Sequence, residues 1–430
     1  MFQRIISFIV SLAFGFSVGS TPPQRCEAKF NGTFLQSWLC LWWSDEDWQE
    51  EIRYMKEAGI EYLILQDVAS FSGGSAEVNY PSGLECFAGC EPVCDVVDAA
   101  LRNCQNSGLK VFVGLADYAD WWVWGGIRPA YQTVCETMAQ MMTELYDNYH
   151  ESYRDTFYGW YFTPEFNNVL THQVSWSRII RDFNTVIDRA NELDPSLPML
   201  VSPYFTEYLS VPSVLATYPM WKTFFQKAHL RDGDIFAPQD AVGAQWTPLD
   251  RLEDVWKMYA AAVKTCPGKV ALWANCENMT VARKALPFMP PATLEQTNQT
   301  ATLDRFVRQM EIASHYAENI ITFSYNHFYS PHTVHPTYHD TYLDYLQNGR
   351  LETEPPAAPG DLTVSDGVLT WSASTDNIGI AYYIVYQNGK AVARVEADED
   401  LQINVKSGKT YTVVALDGAG NRSESATVTA

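Results

Sequence analysis

The run F-Y-G-W-Y-F-T-P-E-F-N-N (Phe157–Asn168) decides the architecture. Phe157 to Phe162 is a short, unbroken apolar and aromatic stretch, stopped by Thr163 and Pro164. Such a run fits a strand buried on both faces, as in a parallel sheet. A helix-type segment, Val174 to Leu193, follows, so the unit is strand, loop, helix. Glu165 stands in that loop, just past the C-terminal end of the strand.

The same unit repeats on both sides. Gly32–Trp38, Tyr62–Gln66 and Lys110–Leu115 precede it as strands; Pro198–Pro203, Asp234–Gln239, Lys269–Ala274 and Asn319–Tyr325 follow. Helix-type segments separate them at Asp95–Gly108, Leu249–Lys264 and Thr302–Tyr316. Another begins after Ser44, an N-cap with acids in its first turn, and ends at Gly59; Trp48, Ile52 and Met55 give it a one-sided apolar stripe. Eight strands alternating with helices predict a (β/α)8 TIM barrel over residues 21–350. A doubly wound sheet binding a dinucleotide would need a Gly-rich turn after its first strand. None is present, and no cofactor is implied.

The composition changes at L-E-T-E-P-P-A-A-P-G (Leu351–Gly360), a Pro/Ala-rich linker. Beyond it, alternating strand patterns and an Asn388–Gly389 hairpin turn predict an all-β sandwich over residues 361–430. With its T-W-S-A-S-T-D-N-I-G run (Thr370–Gly379), this segment resembles a fibronectin type III module of the kind found in bacterial secreted glycosidases. The resemblance implies a spacer without catalytic residues.

Residues 1–20 read as a signal peptide: Arg4, an apolar run from Ile5 to Val18, then Gly19 and Ser20. That run is too short to span a bilayer and no later one is longer, so an exported chain without a membrane span is expected. The formal charge is −22, from 51 acidic and 29 basic residues, which disfavours nucleic acid and anionic membranes as partners. Oligomeric state is left open. Nine cysteines leave at least one thiol unpaired. Cys86, Cys90 and Cys94 share a loop whose C-x3-C-x3-C spacing fits local disulfides in an exported chain better than a metal knuckle.

Barrel chemistry sits at the C-terminal ends of the strands. Those ends offer Gln36 and Trp38, then Gln66 and Asp67, Asp117 and Tyr118, Glu165 and Asn167, Ser202 and Tyr204, Gln239 and Asp240, Glu277, and finally Tyr325, Asn326 and His327. Hydrolysis of a glycosidic bond needs two carboxyl groups, one protonated and one ionised. Glu165 and Glu277, on strands four and seven, face each other across a barrel mouth and are the expected catalytic pair. Asp240, in A-P-Q-D-A-V-G, is the rival second carboxylate for an inverting or substrate-assisted scheme, with sugar binding as its other role.

The substrate-binding set expected around the pair is Gln36, Trp38, Gln66, Asp67, Asp117, Trp121, Asn167, Tyr204, Gln239, Asp240, Trp246, Trp273, Tyr325 and His327. The chain holds 14 Trp, 24 Tyr and 21 Phe, and rings placed in loops (Trp42, Trp43, Trp121, Trp122, Trp124, Trp246) suit stacking on pyranosides. His327, His332 and His335 match no common zinc spacing, so no metal is expected.

The placement of the two glutamates resembles the large clan of retaining barrel glycosidases, which carry the acid/base on strand four and the nucleophile on strand seven. That clan usually has Asn before the strand-four Glu, where Pro164 stands here. G-T-F-L-Q-S-W, L-I-L-Q-D and A-P-Q-D-A-V-G together resemble an uncharacterised family of bacterial glycosidase-like barrels over roughly residues 30 to 345. This implies a glycan substrate. A non-catalytic glycan-binding barrel and a metal-dependent barrel hydrolase are the competing classes.

Overall fold

The structure, a computed structural model, describes residues 28–206, 214–281 and 298–430. The expected signal peptide and Cys26 lie outside the described residues, as does the side chain of Trp122. All eight expected strands form: β1 (Gly32–Leu35), β2 (Tyr62–Leu65), β3 (Lys110–Gly114), β4 (Phe157–Phe162), β5 (Met199–Val201), β6 (Ile235–Phe236), β7 (Ala271–Glu277) and β8 (Asn319–Phe323). Parallel pairing in sequence order, with β1 also paired to β8, closes them into a barrel.

Helices cover the outside: α1 (Asp45–Glu57), α2 (Val96–Cys104), α3 (Ala130–Leu145), α4 (Leu170–Leu193), α5 (Val214–Lys227), α6 (Leu252–Val263), α7 (Leu303–Ser314) and α8 (Thr337–Asn348). Ser44 caps α1 through a reciprocal box with Asp47, and Trp48, Ile52 and Met55 are buried as the stripe required. Helices α3, α5 and α8 were not anticipated. In α3, Tyr131, Val134, Cys135 and Met138 carry a readable one-sided stripe.

The barrel interior is filled. Phe34, Ile64, Phe112, Tyr161, Leu200, Ile235, Ala237, Trp273 and Ile321 pack into one inner cluster, so the barrel is plugged below its mouth. Strand side chains alternate between faces, and on six of the eight strands the next inward position after this plug is polar: Gln36, Gln66, Thr163, Ser202, Gln239 and Asn275, with Gly114 and Phe323 on β3 and β8. The apolar plug therefore carries a polar rim by simple period-two geometry.

Residues beyond the barrel form a three-stranded sheet of β9 (Gly360–Ser365), β10 (Val368–Ser372) and β13 (Gln402–Asn404). A four-stranded sheet contains β11 (Ile380–Gln387), β12 (Lys390–Glu396), β14 (Thr410–Asp417) and β15 (Ala426–Thr429). Asn388 and Gly389 turn β11 into β12 with φ of 51° and 77°, values that favour these two residue types. Trp371, Tyr383, Val385 and Val413 build the core of this module. It packs directly on the barrel: Tyr382 and Leu416 join the barrel's outer apolar cluster, and the Leu303 N–H donates to the Gly418 carbonyl at 2.8 Å.

The eight described cysteines, including Cys86, Cys90 and Cys94, are free thiols, so the expected local disulfides are not formed. No helix among the described residues is long and apolar enough to cross a membrane.

Candidate active site

Strand β7 runs farther than its sequence pattern suggested, through Glu277, which pairs in register with Phe323, the last residue of β8. Glu277 thus stands at the C-terminal rim, on the inward row of Trp273 and Asn275. It is buried, and its Oε2 accepts the Ala244 N–H at 2.7 Å. Gly243 lets that loop approach: a Cβ there would lie 2.3 Å from the Met279 carbonyl and 3.0 Å from Glu277 Oε2.

Glu165 sits just past β4, and its main chain is fixed by the Trp121 indole N–H, which donates to the Glu165 carbonyl at 2.8 Å. Gln239 hydrogen-bonds its carboxylate. Burial raises Glu165 to a pKa of about 8, the negative charge of Asp117 adding to the effect. Glu277 is likewise raised to about 8, first by burial, then by the charges of Asp240 and Glu165; the Ala244 N–H and the Arg305 guanidinium oppose this. Each glutamate therefore lies within the field of a second carboxylate at the same rim.

Asp67 and Asp117 extend the carboxylate group toward β2 and β3. Both are half-buried, and burial raises both, Asp67 to about 7 with a contribution from Asp117. Gln36 and Gln66 are half-buried beside them, and neither Oε1 has a partner among the described residues. Tyr204 lies beside Glu165, with the Trp246 ring 6.5 Å away. Trp38 is 41% exposed and meets His327 edge-on at 5.4 Å. These expected substrate-facing residues do come together at the mouth.

Five others do not. Trp121 is 2% exposed and packs on Tyr131, Phe166 and His172; it supports Glu165 from behind. Asn167 is buried because its Oδ1 accepts the Val169 N–H at 3.0 Å, forming the turn into α4. Trp273 belongs to the plug, four residues before Glu277 and hence about 13 Å lower along the strand. Tyr325 is fully buried, with its hydroxyl on His339 Nδ1 at 2.8 Å.

Asp240 is the fifth. It is 0% exposed, and its carboxylate accepts from Gln309 Nε2 at 2.5 Å, the Val242 N–H at 3.1 Å and the Glu277 N–H at 3.3 Å. It holds Glu277 from below and does not face the mouth. Among the loop aromatics, Trp43 stacks on His332 at 4.9 Å, Trp124 lies under Arg128, and Trp42 is exposed. No group of three or more metal-type side chains occurs among the described residues.

Several supporting residues carry little signal in the sequence. Gln309 reaches in from α7 to bond both Asp240 and the Glu277 carbonyl, and Arg305 donates to the Met279 carbonyl at 2.6 Å. Glu51, buried on α1, anchors the β8 loop through Asn326 Nδ2 and Ser330 Oγ, each at 2.6 Å. Asn275, whose Nδ2 donates to Ser202 Oγ at 3.0 Å, was within reach of the period-two rule from Glu277.

A family profile described as "Domain of unknown function (DUF4434)" matches residues 30–335. A solved structure titled a putative alpha-L-fucosidase, from Bacteroides thetaiotaomicron VPI-5482, superposes with a TM-score of 0.59 at 20% identity, over 77% of this chain and 99% of the other. That likeness shows the fold. Chitinase Chi52 of Paenibacillus xylanexedens is 40% identical over 83 residues, covering 18% of this chain and 16% of its own length. Chitinase D of Niallia circulans is 46% identical over 61 residues, covering 14% of this chain and 12% of its own. The chain thus spans under a fifth of the length of these two curated relatives.

Proposed function

Since this chain belongs to the DUF4434 family through residues 30–335, we propose that the family's barrel acts here as a glycoside hydrolase on a poly- or oligosaccharide. The observation that carries this is the pair Glu165 and Glu277: two carboxyls at the ends of β4 and β7, both raised to about 8, above a plugged barrel. The names of the similar proteins, one titled a putative alpha-L-fucosidase and two chitinases, agree with that chemistry.

Burial raises both carboxyls, and the charge of Glu165 adds to the rise of Glu277, so the pair retains a proton and can supply one acid beside one carboxylate. Glu277 suits the ionised role, because the Ala244 N–H and the Arg305 cation favour its charge. Glu165 then holds the proton. In the retaining scheme it gives that proton to the glycosidic oxygen as Glu277 attacks the anomeric carbon and the C–O bond breaks. Glu165, now ionised, takes a proton from water; the water oxygen attacks the same carbon and releases Glu277. Asp240 is a poor second carboxylate for an inverting scheme, because the protein already engages it from three donors. Residues 1–20 would direct export to meet such a substrate.

The test is turnover of a glycan found by screening. Glu165→Gln and Glu277→Gln should each lower kcat by about 10²- to 10⁴-fold. Proton NMR of the first product should show the anomer of the substrate. Full turnover in both variants would sink the assignment, and an inverted product would sink the double displacement.

A further inference from the structure

Glu277 is the last residue of β7, and the chain beyond it is held by a strand pair outside the barrel. Met279–Val281 pairs antiparallel with Asn298–Thr300, with Met279 opposite Thr300. The Ala301 N–H donates to the Asn278 carbonyl at 3.0 Å, and the Val281 N–H to the Gly243 carbonyl at 2.9 Å. This pair therefore fixes the main chain just past Glu277. It also fixes the loop whose Ala244 N–H meets the Glu277 carboxylate.

The C-terminal module grips the outer strand of that pair. Arg394, on β12, donates through Nη1 to the Thr300 carbonyl at 3.1 Å. The rest of its guanidinium is held in place: Nε donates to Glu396 Oε1 at 2.6 Å, and Nη2 to the Tyr338 hydroxyl on α8 at 2.9 Å. The guanidinium lies 3.6 Å from the centre of the Tyr382 ring. A planar fork held in this way presents its remaining N–H in a fixed direction.

A second grip reaches Glu277 from behind. Thr302 stands at the N-cap of α7, yet its side chain makes no cap. The first two N–H groups of the helix go instead to the module, Leu303 to the Gly418 carbonyl at 2.8 Å and Asp304 to the Ala419 carbonyl at 3.3 Å. Close approach at this seam requires Gly418, since a Cβ there would lie 2.3 Å from Thr341 Oγ1 on α8. The same α7 carries Arg305 and Gln309, which bond the Met279 and Glu277 carbonyls.

We propose that the C-terminal module is a working part of the active site, with Arg394 as a positioning residue that orients Glu277 through Thr300 and the strand pair. The inference rests on the reading of Glu277 as one of the catalytic pair. It gives the module a role where its resemblance implied a spacer. Glu165 is held by Trp121 from the loop after β3, so the effect falls on one side of the mouth.

Hydrogen-exchange mass spectrometry of the full chain, well below its Tm, tests this without a substrate. Arg394→Gln should speed exchange about five-fold or more in peptides covering 275–281 and 241–246, and leave those covering 157–166 at the wild-type rate. Arg394→Lys keeps a cation near Tyr382 but has one nitrogen for both Glu396 and Thr300, so it should give the same pattern in a chain that keeps its packing. Lys390→Gln, an exposed change on the same strand, should exchange as wild type. On the screened glycan, Arg394→Gln should lower kcat about ten-fold with KM nearly unchanged, and should add nothing in the Glu277→Gln background. Wild-type exchange at 275–281 in both Arg394 variants, a rise shared equally by 157–166, or an additive loss in the Glu277→Gln background overturns the proposal. Failure of the catalytic reading is a different result: full turnover by Glu165→Gln and Glu277→Gln, whatever the exchange pattern.

Discussion

The main-chain N–H of Ala244 donates to Oε2 of Glu277 at 2.7 Å, so a loop after β6 aims a carboxylate on β7. The contact depends on Gly243, where the loop backbone passes against β7 with no room for a side chain. Gly243→Ala must displace either the loop or Glu277. We expect at least a ten-fold lower kcat on the screened glycan, with a lower Tm. Unchanged kinetics would show that the Ala244 bond does not position the carboxylate.

Gln309 joins Asp240 to the Glu277 main chain from behind. Gln309→Leu strands the buried Asp240 oxygen that it serves, and a lost partner of this kind costs about 1–3 kcal/mol. Urea denaturation should report that loss. The activity optimum should shift as well, because Asp240 raises Glu277 through its charge. A stability loss with an unmoved pH profile would confine Gln309 to a structural role.

Glu165 gives a signed prediction for pH. Its folded pKa of about 8 lies above the unfolded value for Glu, about 4.3. Between those values the folded state binds more protons, so stability falls as pH rises through the window. Glu165→Gln removes this contribution. The decline of Tm from pH 5 to pH 8 should be shallower in that variant than in wild type. The alkaline limb of kcat/KM should fall near pH 8, where the acid ionises.

Trp38 and Trp121 separate binding from positioning. Trp38 is open to the mouth and Trp121 is buried with its indole N–H on Glu165. Trp38→Ala should raise KM several-fold with little change in kcat or Tm. Trp121→Phe should lower kcat and cost about 1 kcal/mol of stability, the value of one hydrogen bond. Reversed effects in steady-state kinetics would reverse the two roles.

The eight strands and the inward polar rim were legible because both follow from local patterns. A strand buried on both faces must be an apolar run, and side chains alternate with a fixed period of two. Glu165 and Glu277 were found by counting strands on that basis. Depth and support were not legible. Asp67, at the mouth, and Asp240, beneath it, are both Gln-Asp pairs at strand ends, yet only contacts from Gln309, Val242 and Glu277 bury Asp240. Trp121 and Trp38 likewise follow strands as loop tryptophans, and helix packing around Tyr131 and His172 sends one inside. Short-range periodicity sets which way a side chain faces along its own strand. Whether it meets solvent or a neighbour depends on residues distant in the chain, and only the closed barrel with its docked module brings those together.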